Sequence, residues 1–197
     1  MPIIATPYIY LCSDKHKLNK KIKKMKTIID EEFLRCMMTA KAWKEISEEI
    51  SWTEPLLEKY QDKIDWEVIS GNSDILWTIP MLTKFKRQIH WDTLSSALNE
   101  KYATMPLLRA FKQQWDWRKL SMNSAIKLTD EFLETFKDYI DWSEVIDRWD
   151  DERLKFKPFE FYEQWQTFIP IAKLQDSRLW DYMVAIEKIK IMEEMIQ

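Results

Sequence analysis

The chain has 197 residues, a formal charge of −3, and 46% hydrophobic against 32% charged residues, a balance that suits one folded body and excludes both a disordered chain and a membrane-embedded one. A single glycine, Gly71, leaves no means of building the glycine-rich phosphate loops and dinucleotide turns that need positive φ or close backbone approach, so P-loop and Rossmann nucleotide-binding folds are excluded. The histidines His16 and His90 and the cysteines Cys12 and Cys36 form no metal-ligand spacing; no metal or cofactor is expected, and the cysteines read as free thiols of a reducing compartment, with a disulfide between them as the alternative.

Residues 1–12, MPIIATPYIYLC, are apolar but interrupted by Pro2 and Pro7, and no basic segment precedes them. Neither a signal peptide nor a membrane span is expected, and the segment reads as an extended or strand-like arm. Lys15, Lys17, Lys20, Lys21, Lys23, Lys24 and Lys26 follow with no acid among them; seven lysines against Asp14 give +6 for residues 1–29, so the remainder sums to −9. Leu18, Ile22, Met25 and Ile29 fall at i, i+4, i+7 and i+11, which predicts an amphipathic helix with lysines on its outer face. Those seven lysines are the candidate phosphate-contacting residues; the alternative is a solvated helix face or an anionic membrane surface.

From Asp30 the sequence repeats. Copies begin at Asp30, Thr53, Thr78, Thr104 and Thr129, and each carries a tryptophan (Trp43, Trp66, Trp91, Trp117, Trp142) at gaps of 23, 25, 26 and 25 residues. A fixed period of this kind marks a stacked array. Each starting residue suits a helix N-cap, and Pro55, Pro80 and Pro106 stand two positions later, where proline costs no internal hydrogen bond. The residue before the cap (Ile29, Trp52, Trp77, Ala103, Leu128) and the leucine four after it (Leu34, Leu57, Leu82, Leu108, Leu133) have the spacing of a hydrophobic staple. Leu56, Leu57, Tyr60 and Ile64 then give one apolar helix face.

A second, shorter helix opens at the tryptophan, with Asp65, His90, Asp116 or Asp141 before it. It closes at Ser47, Ser70, Ser95 or Ser121, with Ile146 in the fifth copy. Gly71-Asn72 and Met122-Asn123 read as helix terminators. Arg148–Lys157 departs from the pattern and reads as an insertion before a worn sixth copy at about residues 161–175, where Phe161, Tyr162, Trp165 and Ile169 match the apolar positions and Ile171 replaces the tryptophan. Leu179, Met183, Ile186 and Ile189 predict a final amphipathic helix covering the end of the array. Three segments result: residues 1–29, arm and basic helix; 30–175, the repeat array; 176–197, a C-terminal capping helix.

The five periodic tryptophans are expected in the core, as are the staple residues Trp52 and Trp77. Trp115, Trp149, Trp165 and Trp180 are less constrained, and Trp149 beside three acids is the one expected to be exposed. The recurring serines have no recurring histidine and read as local backbone hydrogen-bonders, and adjacent acids such as Glu48 and Glu49 point apart on a helix. No catalytic residue is assigned, and the protein is not expected to be an enzyme.

The W-x-x-[IL]-S unit, with its upstream [TD]-x-x-[LFM]-L-x-x-[YFM], resembles the short tryptophan-containing helical repeats of uncharacterised bacterial and viral proteins over residues 30–146. The resemblance implies a fold and transfers no activity. The expected fold is all-α: a short solenoid of about six stacked helix pairs with an N-terminal basic helix and a C-terminal capping helix. The expected function is a non-enzymatic scaffold or adaptor that binds a protein partner, in the cytoplasm or, as part of a phage-like assembly, in a virion. Recognition is assigned to residues that vary between copies: Lys84, Arg87, Arg109 and Lys112, together with Trp149. A nucleic-acid-associated protein acting through the lysine helix is the alternative, and an inhibitor whose acidic repeats meet a basic partner is the third reading. A homo-oligomer is compatible with all three.

Overall fold

The computed structural model describes residues 8–196, and their side chains apart from those of residues 8–16 and 26–29. The described residues form thirteen helices and no strand. The first, α1 (Tyr8–Glu49), is 42 residues long. Four helix pairs follow: α2 (Glu54–Tyr60) with α3 (Trp66–Gly71), α4 (Ile79–Lys84) with α5 (Trp91–Ala97), α6 (Met105–Ala110) with α7 (Trp117–Met122), and α8 (Asp130–Phe136) with α9 (Trp142–Ile146). The insertion is the short helix α10 (Glu152–Phe156), the sixth copy is α11 (Pro158–Trp165) with α12 (Ile171–Leu174), and α13 (Arg178–Ile196) ends the chain. The second helices stack in order, the end of α1 on α3, then α5, α7, α9 and α12, while α13 packs on α10 and α11.

The local signals act largely as the sequence implies. Thr78 and Thr129 accept from the backbone N–H groups of Met81 and Phe132, while Thr53 and Thr104 start their helices with extended backbone and no side-chain cap bond. Asp65, Asp116 and Asp141 each cap a second helix. Leu57, Leu82, Leu108 and Leu133 are fully buried, and Trp52, Trp77 and Leu128 are buried in the same core. Each such leucine removed from water contributes about 1.5–3 kcal/mol.

The periodic tryptophans are mostly half-buried seams between copies; only Trp142 is fully buried. Each ring lies against an aromatic residue of the next first helix: Trp43 on Tyr60, Trp66 on Phe85, Trp91 on Phe111, Trp117 on Phe136 and Trp142 on Trp165, with centroids 4.8–5.4 Å apart. Trp66, Trp91, Trp117 and Trp142 also donate their indole N–H to the carbonyl five residues earlier, at 2.8–3.0 Å. That bond satisfies a carbonyl in the turn between the two helices.

The serines do more than bond locally. Ser47, Ser70, Ser95 and Ser121 are fully buried, and each donates to the tryptophan carbonyl four residues back at 2.6–2.7 Å. Each also accepts from the backbone N–H of the next copy's cap residue: Asp65, His90, Asp116 and Asp141, at 2.9–3.1 Å. The hydroxyl thus uses both its donor and its acceptor to join two repeats. In the fifth copy the serine is Ile146, fully buried, and the following cap residue is Pro170, which has no N–H to offer. An apolar side chain replaces the hydroxyl where its partner is missing.

The asparagines bridge copies too, rather than ending helices in the left-handed conformation. Asn72 and Asn123 have φ of −75° and −70°. The amide of Asn72 donates to the carbonyls of Ser47, Glu48 and Ile50, and that of Asn123 to those of Ser95 and Leu98. Gly71 takes no positive φ either and sits close to the Thr93 side chain.

Two expectations at the N-terminus are corrected. Residues 8–12 are helical, not an extended arm; residues 1–7 lie outside the described residues. Asp30 caps nothing, because α1 runs unbroken through the first copy. In the other copies a cap residue precedes the tryptophan and an apolar residue stands immediately before the cap: Ile64, Ile89, Trp115 and Ile140, all buried. The first copy has Ala42 and Lys41 there. Without a cap to stop the helix or a core residue to fold it back, alanine and lysine propagate it.

Candidate functional site

Straightening the first copy exposes residues whose counterparts are buried elsewhere. Leu34 is 59% and Met37 56% exposed, and Leu34 with Met38, Ala42 and Trp43 lines a shallow apolar groove along α1. Further toward the N-terminus, Lys17, Lys20, Lys21, Lys23 and Lys24 are exposed on a helix that has left the array behind. The side chains of Lys15 and Lys26 lie outside the described residues. Cys36 is exposed and free. Cys12 precedes it by 24 residues on the same helix, about 36 Å along its axis, so an intrachain disulfide is geometrically excluded.

Of the residues assigned to partner recognition, Trp149 is 69% exposed and Arg87 is exposed. Others are engaged between repeats. Lys84 reaches Glu54 at 3.1 Å and Glu58 at 2.9 Å, and its hydrogen bonds to Glu58 and then Glu54 raise its ammonium above the usual lysine range. Arg109 bonds Glu131 and Thr135, and the Lys112 ammonium lies 5.1 Å from the Tyr139 ring. Arg118 with Glu144 and Lys119 with Asp92 extend this ladder along the second helices. The Lys119 hydrogen bond, followed by a backbone bond from Thr93, holds the Asp92 carboxyl below its usual range. Exposed pairs of this kind each contribute little to stability, but they set which charges remain outward.

One ion pair is buried. Arg148, in the place held by Asn72 and Asn123, sends its guanidinium into the preceding repeat, donating to the Ile126 and Ser124 carbonyls and to the Asp150 carboxylate. Burial pushes the Asp150 carboxyl up, and the hydrogen bond and charge of Arg148 outweigh that, leaving it below the usual carboxylate range. The polar cleft here, lined by Lys127, Thr129, Asp130, Asp151 and Arg153, is crossed by ion pairs of Arg153 with Asp130 and Asp151.

Two residues left unconstrained by sequence reasoning belong to the core. Trp115 is buried in the position of Ile89 and Ile140, edge-on to Trp91 at 5.1 Å, and the spacing of 26 and 25 residues to those isoleucines identifies it. Trp165 is buried in the position of Tyr60 and Phe85. Among the described residues no group of three His, Cys, Asp or Glu side chains could hold a metal, and no helix is long and apolar enough to cross a membrane.

The architecture is that of a short all-α solenoid. No protein-family model, curated protein or solved structure matches the chain.

Proposed function

We propose that the protein is a non-enzymatic scaffold that holds a protein partner on the outer faces of its repeats. The observation that supports this reading is the division of labour within each unit. The recurring serine and aromatic seam join copies, and of the positions that differ, Lys84, Arg109 and Lys112 also contact neighbouring copies while Arg87 and Trp149 face outward. Extended surfaces of stacked repeats are suited to binding another macromolecule, and the clefts between the units are open and shallow.

The test is an affinity capture from native lysate with and without nuclease, run in parallel for the wild type and for a Trp149→Ala/Arg87→Ala variant. A discrete protein that survives nuclease and is lost from the variant supports the scaffold. Equal capture by both, or none by either, removes it.

A second reading is supported by the exposed lysines of α1, which lie beyond the acidic array. In it, the basic helix contacts nucleic-acid phosphates. Affinity for a short duplex would then fall steeply with salt, and replacing Lys17, Lys20, Lys21 and Lys24 by glutamine would flatten that dependence. Salt-independent binding, or binding unchanged by the replacement, rules it out.

A further inference from the structure

The apolar face of α1 continues past the array. Trp43 and Ser47 on that face are covered, the ring by Tyr60 and the hydroxyl by the Asp65 N–H. The same register runs back through Ala40, Cys36, Phe33, position 29, Met25, Ile22 and Leu18, where the array no longer reaches. Leu18, Ile22, Met25 and Phe33 are each more than half exposed. This stripe spans 22 residues, about 33 Å of helix, and an apolar strip of that length is more than a monomer ordinarily leaves in water.

The stripe is a palindrome. Its steps from Leu18 to Ala40 are 4, 3, 4, 4, 3 and 4 residues, symmetric about Ile29. A second copy of α1 laid antiparallel, with the two-fold axis at position 29, therefore brings every stripe position opposite another: 18 against 40, 22 against 36, 25 against 33. The successive steps of 3, 4 and 4 sum to 11 residues, a period close to that of a straight helix. Two such helices cross at the axis and diverge toward the arrays at either end.

Charge selects the same orientation. Residues 17–26 carry six lysines. Parallel pairing sets these against themselves, +6 on +6. Antiparallel pairing sets them against residues 32–41, where Glu32, Arg35 and Lys41 sum to +1, next to Asp30 and Glu31. The exposed lysines at 17, 20, 23 and 24 point away from the stripe and Lys21 flanks its edge, so pairing leaves their ammonium groups in solvent.

We propose that α1 is a self-association surface: two copies of the chain pair their α1 helices antiparallel through Leu18, Ile22, Met25, Phe33 and Cys36, centred on Ile29. The occupant of the stripe is thus the same segment of a second molecule, and the interface is isologous. This goes beyond the scaffold reading, since it gives the protein two arrays, one at each end of a shared helical strut, whatever partner those arrays hold.

The test uses the full chain with Cys12→Ser, to leave one thiol, and compares it with the same chain carrying Ile22→Cys. In the antiparallel pair residue 22 faces residue 36 of the other copy, while the two Cys36 residues lie about 21 Å apart along the axis, beyond disulfide reach. The expected results are twice the monomer mass by light scattering for both proteins and, under mild oxidation, a covalent dimer from the Ile22→Cys protein alone. A second variant keeps the test independent of thiol chemistry. Met25→Lys should give monomer, and Met25→Lys/Phe33→Glu should restore the dimer, because 25 faces 33 of the other copy twice.

Monomer mass for the parent protein overturns the proposal, as does a Cys36–Cys36 dimer, which requires parallel pairing. A dimer that neither crosslinks nor responds to Met25→Lys also overturns it, because its interface lies elsewhere. If the parent is a monomer that binds anionic vesicles or duplex nucleic acid, the stripe and lysines belong to that ligand and the proposal falls.

Discussion

Replacing Ser121 by alanine tests the idea that one buried hydroxyl joins each pair of repeats. The Ser121 hydroxyl donates to the Trp117 carbonyl at 2.7 Å and accepts from the Asp141 N–H at 3.0 Å. Alanine fits the space but abandons both groups. Two hydrogen bonds at a net ~1 kcal/mol each, with the Asp141 N–H left short of an acceptor, give a loss of about 2–3 kcal/mol. For a chain of this length that lowers Tm by roughly 4–12 °C. Urea titration followed by tryptophan fluorescence and far-ultraviolet circular dichroism measures it, with an unchanged m-value as the check that the denatured state is not the cause. Ser96→Ala is the control, since the Ser96 hydroxyl is exposed and bonds only the Asp92 carbonyl; it should cost less than about 0.5 kcal/mol. If Ser121→Ala is as mild as Ser96→Ala, the serine is a local feature and the inter-repeat argument is wrong. The Ile146 site gives the reciprocal case. Ile146→Ser removes a buried side chain and faces a proline, so about 3 kcal/mol is lost, and adding Pro170→Asp should recover about 1 kcal/mol of that by supplying the N–H.

Arg148→Met should cost about 3 kcal/mol at neutral pH by leaving Asp150 partly buried without its cation. The sign with pH follows from the lowered Asp150 value: in the wild type this contribution is present above the ordinary aspartate pKa of about 3.9 and is lost as pH falls through the lower folded value. The gap between wild type and variant, measured by urea titration at several pH values, should therefore narrow on acidification; a constant gap would mean the charge pair is not its source. Trp77→Phe should be nearly neutral, within about 1 kcal/mol, because the Trp77 indole N–H is buried with no acceptor. Trp52→Phe, which loses the bond to the Ser47 carbonyl at 3.2 Å, should be the costlier of the two in the same titration. Finally, Lys41→Ile/Ala42→Asp supplies the core residue and cap that the first copy lacks, and should bend α1 near residue 42. Spin labels at Cys36 and at an added cysteine replacing exposed Glu67 would report the bend as a shortened or broadened distance distribution, and an unchanged one would show that the array's open end, not those two residues, keeps α1 straight.

The all-helical array was legible because the copies state their own boundaries: a starting residue suited to a cap, a staple spacing and a tryptophan recur in phase in all five, with a proline two positions on in three and a serine in four. Agreement among five copies makes a weak local signal strong. What the pattern did not reveal is which partner each residue takes. A buried serine at a helix end has the same sequence appearance whether its hydroxyl turns to its own turn or to the next repeat, and Asn72 looks like a helix terminator while acting as a bridge. The repeat does contain the missing information, but in its exceptions. Ile146 with Pro170, and Arg148 in place of asparagine, are changes that make sense only if those positions touch across the boundary between copies.

The first copy shows why matching a consensus is not sufficient. Asp30, Phe33, Leu34, Met37 and Trp43 all fit, yet α1 ignores them. Two positions outvote five: Ala42 cannot cap a helix and Lys41 cannot fill the site that isoleucine or tryptophan fills elsewhere. Position in the stack adds to this. An interior first helix is held by the tryptophan of the copy before it, as Phe85 is held by Trp66; the first copy has no predecessor, so folding back would bury less apolar surface for the same ordering cost. A long helix that satisfies its own backbone bonds is then the favoured state, and it leaves uncovered both the leftover core residues of an unformed repeat, Leu34 and Met37, and, on another side of the helix, the palindromic stripe that most needs a partner.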